Sequence, residues 1–126
     1  MRRFALFALA PLAAMIALPA AALAHPRLTA ATPLANSTVT KPTKLTLAFS
    51  EKLVAPLSGI ELVMTSMPGM SGHQPMPIRG FTTVVADKTM TVTFPRALPA
   101  GTYLLTWHAV AADQHRIENS YTFTVR

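Results

Sequence analysis

The sequence predicts an all-β domain of about seven short strands, arranged as a two-sheet sandwich or a Greek-key β-barrel. Three observations favour this class. Apolar residues alternate with polar ones at a period of two, prolines recur between the alternating segments, and no amphipathic pattern of about ten residues or more indicates a helix.

The first 24 residues read as a secretory signal peptide. Two arginines precede an apolar run over 4–23, which ends in the small residues that signal peptidase accepts. A retained transmembrane anchor is the alternative, because the run is nearly long enough to span a bilayer, but two prolines interrupt it. We therefore expect cleavage after Ala24, export of the chain, and a mature domain over 25–126 that does not span the membrane.

The strand predictions follow the alternation along the chain. The segments with the clearest period of two are 44–49, 59–64, 89–94, 101–110 and 121–125. Residues 81–92 resemble a hairpin that turns near Asp87 and Lys88, although the glycine typical of such turns is missing. Trp107 lies on the apolar side of the strongest segment, so we predict that it is in the core.

Charge and cysteine content exclude several functions. The formal net charge is +6, of which the signal peptide contributes two, and the remaining basic residues form no run, so nucleic-acid binding is not indicated. The chain contains no cysteine. Thiolate metal sites, thiol catalysis and disulfide exchange are therefore excluded, and a metal ligand must be an imidazole, thioether, carboxylate or amine.

A methionine-rich segment, LVMTSMPGMSGHQPMP, covers residues 62–77. Its candidate ligands recur at every third position: Met64, Met67, Met70, His73 and Met76. Thioether sulfur is soft and uncharged, which suits Cu(I) and disfavours harder ions such as Zn(II) or Ca(II). The alternatives are that these methionines pack over one end of the domain or act as oxidant sinks, and Met64 also continues the apolar face of its strand.

A second candidate site combines the processed N-terminus with a distant segment. Cleavage after Ala24 would give His25 a free α-amine beside its imidazole, and these two groups can chelate one metal. Asp113 and His115 are separated by one residue, so in an extended segment their side chains point to the same side. Nitrogen and oxygen donors suit Cu(II), and Glu51 offers a further carboxylate. Taken alone, each piece is also typical of an ordinary surface residue.

The whole mature chain resembles the CopC family of periplasmic copper-resistance and copper-homeostasis proteins. The motifs that carry the resemblance are HPRL at 25–28, LAFSEKL at 47–53, LVMTSMPGM at 62–70 and AGTYLLTWHAVAADQH at 100–115. The resemblance implies a cupredoxin-like Greek-key β-barrel that lacks the cysteine ligand. It also implies two copper sites at opposite ends of the barrel.

By this resemblance, His25, Asp113 and His115 match the family's Cu(II) site, and Glu51 matches a carboxylate found beside it in some members. The methionine-rich segment matches the Cu(I) loop of the two-site subgroup, with Met64, Met67, Met70, His73 and Met76 as its ligands. The implied partners are copper ions and a CopD-type inner-membrane transporter or other periplasmic copper proteins.

We therefore expect a copper carrier and buffer rather than an enzyme. The rival hypothesis is a copper oxidase or monooxygenase, because an amine with two imidazoles forms a histidine brace that can also activate oxygen. A third hypothesis is a metal-free, Ig-like interaction domain.

Overall fold

The computed structural model describes residues 25–70 and 74–126, and the predicted signal peptide lies outside them. Within the described ranges nine strands and one turn of 3₁₀ helix form the domain. The strands are β1 (Leu28–Thr32), β2 (Thr38–Val39), β3 (Lys44–Phe49), β4 (Gly59–Ser66), β5 (Met76–Pro77), β6 (Thr82–Ala86), β7 (Thr89–Thr93), β8 (Gly101–Val110) and β9 (Arg116–Val125), and the 3₁₀ turn is Ala55–Leu57.

The strands form two sheets. One has the order β1-β3-β7-β6 and the other β2-β9-β8-β4-β5. Three consecutive pairs, β4–β5, β6–β7 and β8–β9, are antiparallel neighbours within one sheet. The chain crosses to the other sheet after β1, β2, β3, β5 and β7, so both sheets contribute to each end of the domain.

The all-β prediction is confirmed, and the described residues include seven strands of five residues or more. Of the two predicted architectures, the structure is a sandwich of two separate sheets, not the closed barrel that the family resemblance implied. None of the helical segments in the described ranges is long and apolar enough to cross a bilayer.

The core lies between the inner faces of the two sheets, as the alternation predicted. Strand β8 shows this most clearly, because Tyr103, Leu105, Trp107 and Ala109 are all buried whereas the residues between them are partly exposed. Trp107 packs edge-on against Phe49 of the opposite sheet, with ring centroids 5.1 Å apart. Such an aromatic contact adds to the burial that holds the two sheets together.

The predicted hairpin is confirmed, with β6 and β7 joined by Asp87 and Lys88. Asp87 has a positive φ of 55°, a conformation that aspartate tolerates better than most residues. The missing glycine is therefore replaced by an aspartate, which explains why the turn signal in the sequence was weak.

Gly101 begins β8 at a point where the chain passes close to β4. A Cβ atom added at Gly101 would lie 2.5 Å from the backbone oxygen of Ser66. We expect Gly101→Ala to lower the free energy of unfolding by about 1–3 kcal/mol, because backbone must move to relieve the contact. Gly59→Ala is the control, since its Cβ would meet only ring atoms of His108, at 3.2 and 3.3 Å. Urea unfolding that gives equal stability for both variants would contradict this account.

The two tyrosines both donate hydrogen bonds to proline carbonyl oxygens, Tyr103 to Pro99 at 2.6 Å and Tyr121 to Pro33 at 2.9 Å. Burial raises the pKa of each phenol to about 12. A tyrosine in the unfolded chain titrates at about 10. The preference of the folded state for protonated phenols therefore stabilises the fold fully below pH of about 10, and this stabilisation is lost as pH rises towards about 12.

We therefore expect tyrosinate absorbance to appear only near pH of about 12 or together with alkaline unfolding. The chain has two tyrosines, so Tyr103→Phe and Tyr121→Phe assign the signal to each residue. Titration of either tyrosine at about 10, with the near-ultraviolet circular dichroism still native, would contradict the prediction.

Candidate metal centre

The turn between β8 and β9 places Asp113 and His115 at one end of the sandwich. The backbone N–H of Gln114 donates to the carbonyl oxygen of Ala111 at 2.9 Å, and Gln114 has a positive φ of 64°. The backbone N–H of His115 donates to Oδ1 of Asp113 at 3.2 Å. These local hydrogen bonds fix the Asp113 carboxylate within its own turn and leave Oδ2 available to groups outside it.

His25, which precedes β1 of the other sheet, reaches this turn although 88 positions separate it from Asp113 in sequence. Its Nδ1 atom lies 2.7 Å from Oδ2 of Asp113, and Nδ1 of His115 lies 3.5 Å from the same oxygen. The two imidazole rings are tilted, with centroids 5.1 Å apart. One ligand atom from each of the three residues lies within 4.8 Å of the others, so they form a candidate metal-binding group.

The pKa of Asp113 lies below its ordinary value. Burial of the carboxylate opposes ionisation, since its side chain is only 3% exposed. The hydrogen bonds from the His115 backbone and the His25 ring, together with the charge of both imidazoles when protonated, outweigh that burial. Asp113 is therefore an anionic oxygen donor between two nitrogen donors at neutral pH.

The imidazoles are accessible to an incoming ion, because the side chain of His25 is 54% exposed and that of His115 is 72% exposed. Glu51 is half-buried and does not belong to the group, so its predicted part in the site stays a prediction. His108 also lies outside the group, with its ring beside Gly59. Burial is the main cause that lowers the pKa of its imidazole.

The methionine-rich segment leaves β4 at the opposite end of β8, where Ser66 pairs with Thr102. Pro68 and Gly69 occupy the central positions of a β-turn, and the backbone N–H of Met70 donates to the carbonyl oxygen of Met67 at 3.2 Å. Gly69 has a positive φ of 76°, which a type II turn requires at this position. The turn makes Met67 and Met70 bridge partners across an antiparallel contact.

The four methionines of this segment differ in burial. Met64 is 2% exposed and belongs to the core. Met67 is half-buried against that core, whereas Met70 and Met76 are 54% and 46% exposed. Met76 pairs with Met64 in the β4–β5 register. His73, the fifth candidate ligand, lies outside the described residues.

The two groups of candidate ligands therefore lie at opposite ends of β8. The turn at 67–70, called here the methionine turn, adjoins the first residues of β8. The turn at 111–115, called the Asp113 turn, follows the last residue of β8. A strand of this length, 10 residues, spans about 30 Å, too far for one metal ion to contact both groups.

Comparison with known proteins gives one consistent relationship. Copper resistance protein C of Escherichia coli is 48% identical over 106 residues, which cover 83% of this chain and 84% of that protein. Copper resistance protein C of Pseudomonas syringae pv. tomato is 45% identical over 115 residues, or 90% of each chain. The crystal structure of PcoC, a methionine-rich copper resistance protein from Escherichia coli, superposes with a TM-score of 0.72 at 42% identity, covering 82% of this chain and all of that one. A family model described as the CopC domain matches residues 28–126. The chain belongs to the CopC family.

Proposed function

We propose that this chain is a periplasmic copper-binding protein, a carrier and buffer in copper resistance and homeostasis. It holds Cu(II) at His25, Asp113 and His115 and holds Cu(I) at the methionine turn. The single observation that carries the proposal is the convergence of two imidazoles and one carboxylate, from distant parts of the chain, within 4.8 Å. The relatives named copper resistance protein C support copper as the ion.

The chemistry of the first group fits Cu(II). Imidazole nitrogen and carboxylate oxygen in a tetragonal arrangement are donors that Cu(II) prefers. Nδ1 of His25 already faces Oδ2 of Asp113, and this same nitrogen forms a chelate ring with the α-amine of a chain that begins at His25. Copper would replace the proton between these two atoms, which removes the hydrogen bond but keeps the residues in place.

The methionine turn fits Cu(I). Met67 and Met70 are paired by the turn, and Met76 is exposed on the neighbouring strand β5. Thioethers are neutral, so such a set holds Cu(I) without the charge that would attract harder divalent ions. Met64, which is buried in the core, and His73 are the further ligands that we propose from the sequence.

Two sites with opposite preferences suit a carrier. A change in redox state moves the favoured position of the ion from one end of the domain to the other, since each end stabilises one oxidation state. We propose that copper then passes to a partner, a CopD-type inner-membrane transporter or another periplasmic copper protein.

Copper stoichiometry on the chain processed to begin at His25 tests this function. Cu(II) and Cu(I), the latter under anaerobic reduction, are titrated separately and then together, after removal of loosely held metal by dialysis. We expect one equivalent of each, bound without mutual competition. Retention of neither ion would overturn the copper-carrier function and favour a metal-free interaction domain.

The rival oxidase or monooxygenase function requires an open position on copper for oxygen. Asp113 lies between the two imidazoles, where its carboxylate would fill such a position. We therefore expect no peroxide- or reductant-dependent turnover of polysaccharides or phenols above that of free copper. Sustained turnover that depends on His25 and His115 would contradict the carrier function.

A further inference from the structure

The three residues from His25 to Arg27 precede β1 and belong to no strand, yet His25 is held against Asp113. A segment of this kind at the start of a domain frays unless specific contacts hold it. The hydrogen bond to Asp113 is made by the ring of His25, so it does not fix the backbone of that residue. Other contacts must do so.

Ser50, the residue after β3, supplies two of these contacts. The backbone N–H of Arg27 donates to Oγ of Ser50 at 2.9 Å, and the backbone N–H of Ser50 donates to the carbonyl oxygen of Arg27 at 2.8 Å. Both backbone polar groups of Arg27 are therefore bound to one residue. The side chain of Pro26, between Arg27 and His25, is fully buried.

The segment that carries Ser50 is itself anchored to both sheets. The backbone N–H of Leu53 donates to the carbonyl oxygen of Asp87 at 2.9 Å, and that of Val54 donates to Val110 at 2.7 Å. Val110 is the last residue of β8, three positions before Asp113. The segment that begins at Ser50 is thus joined, through one hydrogen bond from Val54, to the strand that leads into the turn with the other candidate ligands.

We propose that Ser50 is a positioning residue for the metal site, and that Ser50, Arg27 and Pro26 form an N-terminal clamp that holds His25 towards Asp113. The clamp orders His25 before the metal arrives, so metal binding does not have to offset the entropy lost in ordering that residue. This inference rests on the proposed Cu(II) site, but the clamp also exists in the metal-free chain and is tested there.

The size of the effect follows from backbone entropy. Fixing one residue costs about 1–2 kcal/mol, so loss of the clamp should weaken Cu(II) binding roughly 5–30-fold. Ser50→Ala removes the Oγ acceptor of the Arg27 N–H but keeps the backbone bond from Ser50 N–H to Arg27, so we expect the lower end of this range. Ser50→Thr keeps a hydroxyl in the same place, and we expect it to restore binding to within about twofold of the original chain.

The experiment uses the chain beginning at His25 and two readouts. Cu(II) affinity is measured by competition with a chelator, and the order of His25 in the metal-free chain is measured by ¹⁵N relaxation of its ring. Ser37→Ala is the control, because the Ser37 hydroxyl also bonds the backbone, donating to the carbonyl oxygen of Leu34 at 2.6 Å, but beside β2 at the other end of the domain.

We expect Ser50→Ala to weaken Cu(II) binding, to loosen His25 in the metal-free chain and to leave Cu(I) binding unchanged. Ser37→Ala should change none of these. If Ser50→Ala matches the original chain in both Cu(II) affinity and the order of His25, the proposal that Ser50 positions His25 is wrong. If the original chain binds no Cu(II), the proposed function fails instead, and the relaxation of His25 alone decides whether the clamp exists.

Discussion

One alanine added before His25 is expected to lower Cu(II) affinity by about 100-fold or more, since changes outside the ligand shell alone cost about 10–100-fold. The extension converts the His25 α-amine into an amide and moves the new amine one residue away, so the chelate ring with Nδ1 is lost. Asp113 and His115 would remain as ligands, and Cu(I) affinity should not change. Chelator competition, run separately with each ion, measures both effects.

The control for this extension is one alanine added after Arg126, which lengthens the chain equally without touching the N-terminus. Arg126 follows β9, at the opposite end from the Asp113 turn. If the N-terminal extension leaves Cu(II) affinity equal to that of the C-terminal control, the α-amine is not a ligand and the site has a different composition.

The second large effect is expected at the methionine turn. Replacing both Met67 and Met70 by leucine should lower Cu(I) affinity by about 100-fold or more, because two thioether ligands are lost, a greater change than the about 10–100-fold of an outer-shell substitution. Leucine approximates the volume of methionine, so a leucine at position 67 can pack against the core as Met67 does, and the fold should persist. Cu(II) affinity should be unaffected, and anaerobic competition with a Cu(I) chelator measures the loss.

Met90→Leu is the matched control, since Met90 is a fully buried methionine of β7 outside the turn. It should leave Cu(I) affinity unchanged while testing the general effect of the substitution on stability. Equal loss of Cu(I) and Cu(II) in the double variant would contradict the separation of the two sites.

Most of the fold could be predicted from the sequence because the buried residues alternate with exposed ones. The boundaries of β3 and β8 match the alternating segments at 44–49 and 101–110. The short strands β2 and β5 were not predicted, because two residues are too few to show a period. The choice between sandwich and barrel depends on how the sheet edges pair, which alternation along single strands does not determine.

The candidate metal site could also be predicted in part from the sequence. Asp113 and His115 are close in sequence, and the processed N-terminus pointed to His25, so local chemistry was enough to select these residues. Ser50 was missed because its role depends on the β1–β3 register, which places it beside Arg27. Met64 satisfied both the core alternation and the every-third spacing of the loop, and only its burial shows that it lies in the core.

The most direct test of the central claim, two sites selected by oxidation state, is X-ray absorption spectroscopy of the chain beginning at His25 and carrying one equivalent of copper. The sample is measured as Cu(II) and again after anaerobic reduction. We expect a first shell of nitrogen and oxygen in the oxidised sample and a shell dominated by sulfur in the reduced one. A nitrogen and oxygen shell that persists after reduction would contradict the claim, because copper would then stay at the His25 end in both states.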